Sequence, residues 1–113
     1  MIVRIAELEI DPQYLREYTA LLSEEIEASI ALEPGVLMLH AVSIKGSGET
    51  IRILEAYADQ AAYESHLGTP HFLKYKTLTA NMVRSLALLE TDPICLSTKP
   101  GFSYGGPRVR LEK

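Results

Sequence analysis

Glu33-Pro34-Gly35-Val36-Leu37-Met38-Leu39-His40-Ala41-Val42 is the stretch on which the fold turns. Proline biases its predecessor away from the α region, so Glu33-Pro34-Gly35 ends the segment before it as a helix stop. The apolar run that follows reads as a strand over residues 36–43. Lys45-Gly46-Ser47-Gly48-Glu49 is a turn, and residues 50–58 resume the strand pattern. So short a connection makes the two strands an antiparallel hairpin.

Upstream, Leu15, Tyr18, Leu22, Ile26 and Ile30 recur at steps of three and four, which predicts one amphipathic helix over residues 12–32. Asp11 is its expected cap, and Pro12 suits a first helical position, where a missing N–H costs nothing. Glu24, Glu25 and Glu27 read as its solvated face. Residues 2–10 alternate with period two and predict a half-buried strand.

Downstream, Asp59 is a suitable N-cap for a short helix over residues 60–67, which Gly68 breaks. Thr69 caps a second start with Pro70 at its first position. Phe72, Tyr75, Leu78, Thr79, Met82, Leu86 and Leu89 keep helical spacing, so this helix is expected to run to about residue 86. A last strand falls within residues 87–97. Pro93 removes a ladder donor, so this strand belongs at an edge or begins after the proline.

The resulting order is strand, helix, strand, strand, helix, strand. It is an α+β, ferredoxin-like βαββαβ arrangement with the helices on one face of an antiparallel sheet. The other face carries apolar residues with no cover inside the chain, and a C2 homodimer closing face to face is the expected solution. Residues 1–97 form the expected domain. Residues 98–113, rich in Gly and Pro, form a tail that is flexible or drapes over a partner.

Composition narrows the function. The chain has 113 residues, 47% of them apolar, and a formal charge of −4. That is one domain with material for a core and no electrostatic footprint for nucleic acid; Arg108, Arg110 and Lys113 are too few to reverse this. No apolar run reaches the ~20 residues of a membrane span, and no leader opens the chain. The expectation is a soluble cytoplasmic protein. Cys95 is the one cysteine and reads as a small buried hydrophobe. A P-loop, a dinucleotide fingerprint, HExxH, paired CxxC and GxSxG are all missing, which removes several common enzyme classes.

The candidate chemistry rests on a few polar residues in apolar elements. His66 ends one short helix and His71 opens the next, so both can face the space between helix and sheet. Imidazole is the side chain suited to move a proton near neutral pH. Glu55, set among Ile53, Leu54, Ala56 and Tyr57, needs a partner if buried. These three are the catalytic candidates. His40 is expected on the face of Val36, Met38 and Val42; with Tyr57, Tyr75 and Asn81 it makes up the substrate-binding set. No third ligand stands at a metal-site spacing from the two histidines, so no metal is expected.

The wording of Glu33-Pro34-Gly35, Glu55-Ala56-Tyr57 and His66-Leu67-Gly68-Thr69-Pro70-His71-Phe72 resembles the antibiotic biosynthesis monooxygenase family of dimeric α/β barrels, over residues 1–97. Many relatives carry tryptophan at the position of Tyr57. The resemblance implies a monooxygenase that uses molecular oxygen on a quinol- or anthrone-like aromatic, without cofactor. His66 or His71 would accept the proton, and Tyr57, Tyr75 and Asn81 would orient the substrate. Other relatives isomerise a phosphorylated autoinducer-2 signal, for which Lys74 and Lys76 lie near the histidines. A third branch degrades haem with a tryptophan that this chain lacks. A non-catalytic ligand-binding or stress-response module is a further alternative.

Overall fold

The structure, a computed structural model, describes residues 1–105. The strands are β1 (Ile2–Ile10), β2 (Val36–Ile44), β3 (Ser47–Tyr57) and β4 (Val83–Thr91), and the helices are α1 (Leu15–Leu32), α2 (Gln60–Leu67) and α3 (Pro70–Thr79). All neighbouring strands are antiparallel, in the order β2-β3-β1-β4. This is the expected ferredoxin-like sheet, with β1 and β3 at its centre.

The register sorts side chains between two faces. Ala6 lies opposite Ile53 and Leu8 opposite Ile51, and all four join Ile10, Tyr18, Leu22, Tyr75 and Met82 in the main core beneath the helices. Val36, Leu39 and Tyr57 form a second buried cluster on the same side, under Ala62 and Tyr63 of α2. Arg4 lies opposite both Glu55 and Glu90, so this central row places charged groups among the apolar ones on the helix face.

The opposite face carries Ile5, Leu54 and Leu89 in one row and Met38 beside Ala56 in another. Val42 is 61% exposed and Leu89 is 45% exposed. Val3 and Ala56 on this face are buried, at 4% and 2% exposure, but no described helix packs on it.

Several expectations change in detail. The first helix opens with a 3-10 turn at Pro12–Tyr14, held by Asp11 accepting from the Gln13 N–H, and becomes α-helical at Leu15. The hairpin turn is only Lys45-Gly46, because Ile44 already lies opposite Ser47; Gly46 has φ 85°, a conformation that costs a side-chain-bearing residue. An extra residue at Leu37 sends Val36 to the helix face, whereas Met38 and His40 face away.

The second long helix stops at Thr79 rather than near residue 86. The Met82 N–H bonds back to the Thr79 carbonyl, the Asp11 N–H bonds to Met82 O at 2.8 Å, and the chain enters β4 at Val83. Leu86 and Leu89, spaced as if helical, are strand residues opposite Leu8 and Ile5. Long-range pairing with β1 outweighs local periodicity there. β4 is an edge strand and ends before Pro93, which therefore never has to supply a ladder N–H.

Cys95 is exposed, not buried, because beyond Thr91 the described chain forms no helix or strand and leaves the sheet. Arg108, Arg110 and Lys113 lie outside the described residues. No described helix is long and apolar enough to cross a membrane.

Candidate functional site

Three local breaks in the chain build the site. Glu33 is the C-cap of α1, and its N–H still bonds to Ser29 O at 3.0 Å. Pro34 follows, and Glu33 adopts the extended conformation that a pre-proline residue favours, φ −114° and ψ 104°. His66 lies in the last turn of α2, whose N-cap Asp59 accepts from the Ala62 N–H at 2.8 Å. His71 lies in the first turn of α3 behind Thr69 and Pro70. Thr69 ties the two short helices together: its hydroxyl donates to His66 O at 2.9 Å and accepts from the Phe72 N–H.

These ends converge on one carboxylate oxygen. Glu33 Oε2 lies 3.0 Å from His66 Nδ1 and 2.5 Å from His71 Nε2. A carboxylate only accepts, so the network assigns the proton of each ring to the nitrogen facing Glu33. The second nitrogen of His66, Nε2, is 3.4 Å from Glu25 Oε1, which also accepts from the Ser29 hydroxyl at 2.9 Å. The His66 ring is further enclosed by Tyr57 and Phe72, at centroid distances of 5.4 and 4.8 Å.

The two carboxyl groups differ in environment. Burial pushes the Glu25 carboxyl above the ordinary range, against the Ser29 hydrogen bond and the nearby imidazoles. Burial acts the same way on Glu33, but the hydrogen bonds from His71 and His66 outweigh it and leave that carboxyl below the ordinary range. His66 is 3% exposed, Glu33 12% and His71 14%, so the network runs from interior to surface. On the outside, a narrow recess between α1 and α3, with no room for a water molecule, is lined by Leu21, Glu24, Glu25, His71, Lys74 and Tyr75.

Glu55 faces the same interior from the sheet. It accepts from the Tyr57 hydroxyl at 2.9 Å, and burial raises its carboxyl while Tyr57, Arg4 and His66 oppose the shift. Tyr18 and Tyr75 pair through their hydroxyls at 2.5 Å. Burial pushes Tyr75 up to about 12, and Tyr18 and Tyr57 are raised further, first by burial and then by neighbouring groups. All three phenols therefore stay protonated and act as hydrogen-bonding groups.

The structure brings together His66, His71, Glu55, Tyr57 and Tyr75 on the helix side of the sheet. It does not bring His40 or Asn81 there. His40 is exposed on the opposite face, opposite Leu54, and Asn81 is exposed in the turn before β4. Lys74 reaches the recess but pairs with Glu24 at 2.7 Å.

Glu25 and Glu33 are the site residues that sequence reasoning missed. Glu25 belongs to the buried stripe Tyr18, Leu22, Glu25 and Ser29, at steps of four, three and four, but Leu15, Tyr18, Leu22, Ile26 and Ile30 fit helical spacing as well, so periodicity does not single Glu25 out. It is a correction to the solvated-face reading: Ile30 is 49% exposed while Glu25 is 6% exposed. The polar partners Ser29 and His66 make that burial tolerable.

Comparisons with known proteins agree on one family. The profile described as antibiotic biosynthesis monooxygenase matches residues 1–78. A structure from Bacteroides thetaiotaomicron, described as a candidate antibiotic biosynthesis monooxygenase, is 50% identical, covers 91% of this chain and 94% of its own, and superposes with a TM-score of 0.82. Two more distant structures share the fold. A candidate antibiotic biosynthesis monooxygenase from Nitrosomonas europaea is 18% identical, with coverage of 84% and 100% and a TM-score of 0.78. The Rv0793 protein of Mycobacterium tuberculosis is 22% identical, with coverage of 86% and 98% and a TM-score of 0.74. A search among curated proteins gives no significant match.

Proposed function

The chain belongs to the antibiotic biosynthesis monooxygenase family, and from that premise we propose that it oxygenates a quinol- or anthrone-like small aromatic with molecular oxygen, using His71 as the base. The observation that carries this reading is the carboxylate–imidazole pair of Glu33 and His71, 2.5 Å apart at the edge of the recess. Glu33 holds the Nε2–H, which leaves Nδ1 of His71 as the basic nitrogen. A carboxylate that fixes the tautomer and steadies the imidazolium is the same device that general-base histidines use elsewhere.

The chemistry needs little more from the protein. Nδ1 of His71 takes the phenolic or benzylic proton. The resulting anion passes an electron to oxygen, and the two radicals join as a peroxide. The His71 imidazolium returns its proton to the peroxide, and loss of water then gives the quinone: one oxygen atom stays in the product and the other leaves as water. His66, Glu25 and Ser29 extend the proton network inward from Glu33. Tyr57 and Tyr75 are committed to Glu55 and Tyr18, so they shape the wall and its polarity. The uncovered apolar sheet face supports a homodimer as the working unit.

Oxygen uptake by metal-stripped protein with reduced naphthoquinones and anthrones tests the reading. Uptake above background that His71→Ala removes is the expected result. No uptake across the panel with folded wild-type protein overturns it. Lys74 on the recess rim supports a second reading, isomerisation of a small phosphorylated sugar-like ligand. Ligand binding that inorganic phosphate displaces, and that Lys74→Ala weakens, separates the two.

A further inference from the structure

The arrangement around Glu33 has a second chemical capacity. One carboxylate oxygen of Glu33 and one ring nitrogen each from His66 and His71 lie within 4.8 Å of one another. A divalent ion bound at about 2.0–2.2 Å to nitrogen and oxygen donors spaces them roughly 3.4 Å apart in tetrahedral geometry. The pair of Glu33 and His66 already stands at 3.0 Å; the 2.5 Å pair of Glu33 and His71 has to open, and the two ring nitrogens, up to 4.8 Å apart, have to close.

What lies behind the donors is the stronger observation. A metal-bound histidine typically gives its other N–H to a carboxylate, which fixes the ring and raises its basicity. His66 has that partner in place. Its Nδ1 faces the donor cluster, and its Nε2 faces Glu25 Oε1 at 3.4 Å, with Ser29 bonded to the same oxygen. The three donors come from the end of α1, the end of α2 and the start of α3, and Thr69 links the two histidine-bearing helices. Their spacing is therefore set by the fold.

We propose that Glu33, His66 and His71 form a binding site for a divalent transition-metal ion, with Glu25 and Ser29 positioning His66. Two imidazoles and one carboxylate suit zinc, cobalt or ferrous ions; calcium and magnesium favour all-oxygen sets. Three protein donors leave a coordination position open. On loading, the proton of His66 moves to Nε2 and bonds to Glu25, and that of His71 moves to Nδ1. The ion thus takes away the acceptor nitrogen of the proposed base, so occupancy opposes the metal-free reaction. Binding itself is independent of the oxygenase reading.

Titration of the metal-stripped full-length protein with cobalt(II), followed by visible absorption, tests the site, together with zinc competition against a colorimetric chelator. One saturable ion per chain is expected. Glu33→Gln and His71→Ala should each weaken it by roughly 100-fold or more, and Glu25→Gln by about 10–100-fold. Circular dichroism checks that each variant is folded, and the mild Glu33→Gln change keeps the test open if His71→Ala is not. Exposed His40→Ala and Cys95→Ser should bind as wild type. The proposal is overturned by the absence of a saturable cobalt spectrum, by full binding in Glu33→Gln, or by binding lost in His40→Ala or Cys95→Ser.

Discussion

Glu33 Oε2 lies 2.5 Å from His71 Nε2 although 38 residues separate them in the chain. The same oxygen meets His66 Nδ1 at 3.0 Å. One glutamate, displaced from its helix by a proline, thus organises both histidines. If this pair is the catalytic base, Glu33→Gln should lower the oxygen-uptake rate by roughly 10–100-fold and His71→Ala by about 100-fold or more. Rates measured on folded, metal-stripped protein decide it; two variants with wild-type rates would remove the pair from the chemistry.

Glu33 and Glu55 should give pH slopes of opposite sign. The folded carboxyl of Glu33 is lowered, so its contribution to stability is present above the unfolded pKa, about 4.3, and is lost as the pH falls through the folded value. Glu55 is raised, so its contribution is complete below the unfolded value and is lost as the pH rises through the folded one. Urea unfolding of Glu33→Gln and Glu55→Gln against wild type, from pH 3 to 7, reads both. Relative to its variant, wild-type stability should gain with pH at Glu33 and fall at Glu55. Parallel curves would contradict the assigned environments.

The buried Tyr18–Tyr75 hydroxyl pair should behave as a unit. Removing one hydroxyl strands the other, at a cost of about 1–3 kcal/mol. Removing both leaves an apolar contact that is far less costly. Tyr18→Phe, Tyr75→Phe and the double variant, compared by chemical denaturation, should therefore be strongly non-additive. Additive losses would show that the hydroxyls do not depend on each other.

Gly35 sets how closely the chain entering β2 approaches α2. A Cβ there would lie 2.5 Å from Ala62 Cβ, closer than packed carbons can stand. Gly35→Ala should cost about 1–3 kcal/mol by overpacking and push away the helix that carries His66. Adding Ala62→Gly should recover part of the loss. A Gly35→Ala protein as stable as wild type in thermal unfolding would mean that the two segments separate freely.

Leu54 sits mid-sheet on the uncovered face, opposite Ile5 and His40. If that face closes a homodimer, Leu54→Lys places a charge in an apolar interface and should convert dimer to monomer in analytical ultracentrifugation at micromolar concentration. A wild-type monomer under those conditions would refute the dimer outright.

Much of the fold was legible because local chemistry announces it. Asp59 and Thr69 accept the backbone N–H groups expected of caps, and Pro34 ends α1. The alternation of residues 2–10 is the central strand. Legibility failed where two patterns fit the same residues. Met82, Leu86 and Leu89 satisfy a helical spacing, yet Leu86 and Leu89 satisfy pairing with Leu8 and Ile5 as well, and only the folded sheet chooses. Parity groups His40 with Val36, but the bulge at Leu37 leaves Val36 on the site's face and turns His40 to the other.

The sequence by itself determined the order of elements, the breaks at Pro34 and Gly68, the nearness of His66 to His71 and the family to which the chain belongs. Periodicity, caps and prolines act over a few residues, and they carry that information without a partner. Tertiary structure alone decided that Glu25 is buried and that Glu33 joins the histidines. A carboxylate's burial depends on which azimuth of its helix meets the sheet, and its charge depends on groups that arrive from 33 and 38 residues away. No window along the chain contains either quantity.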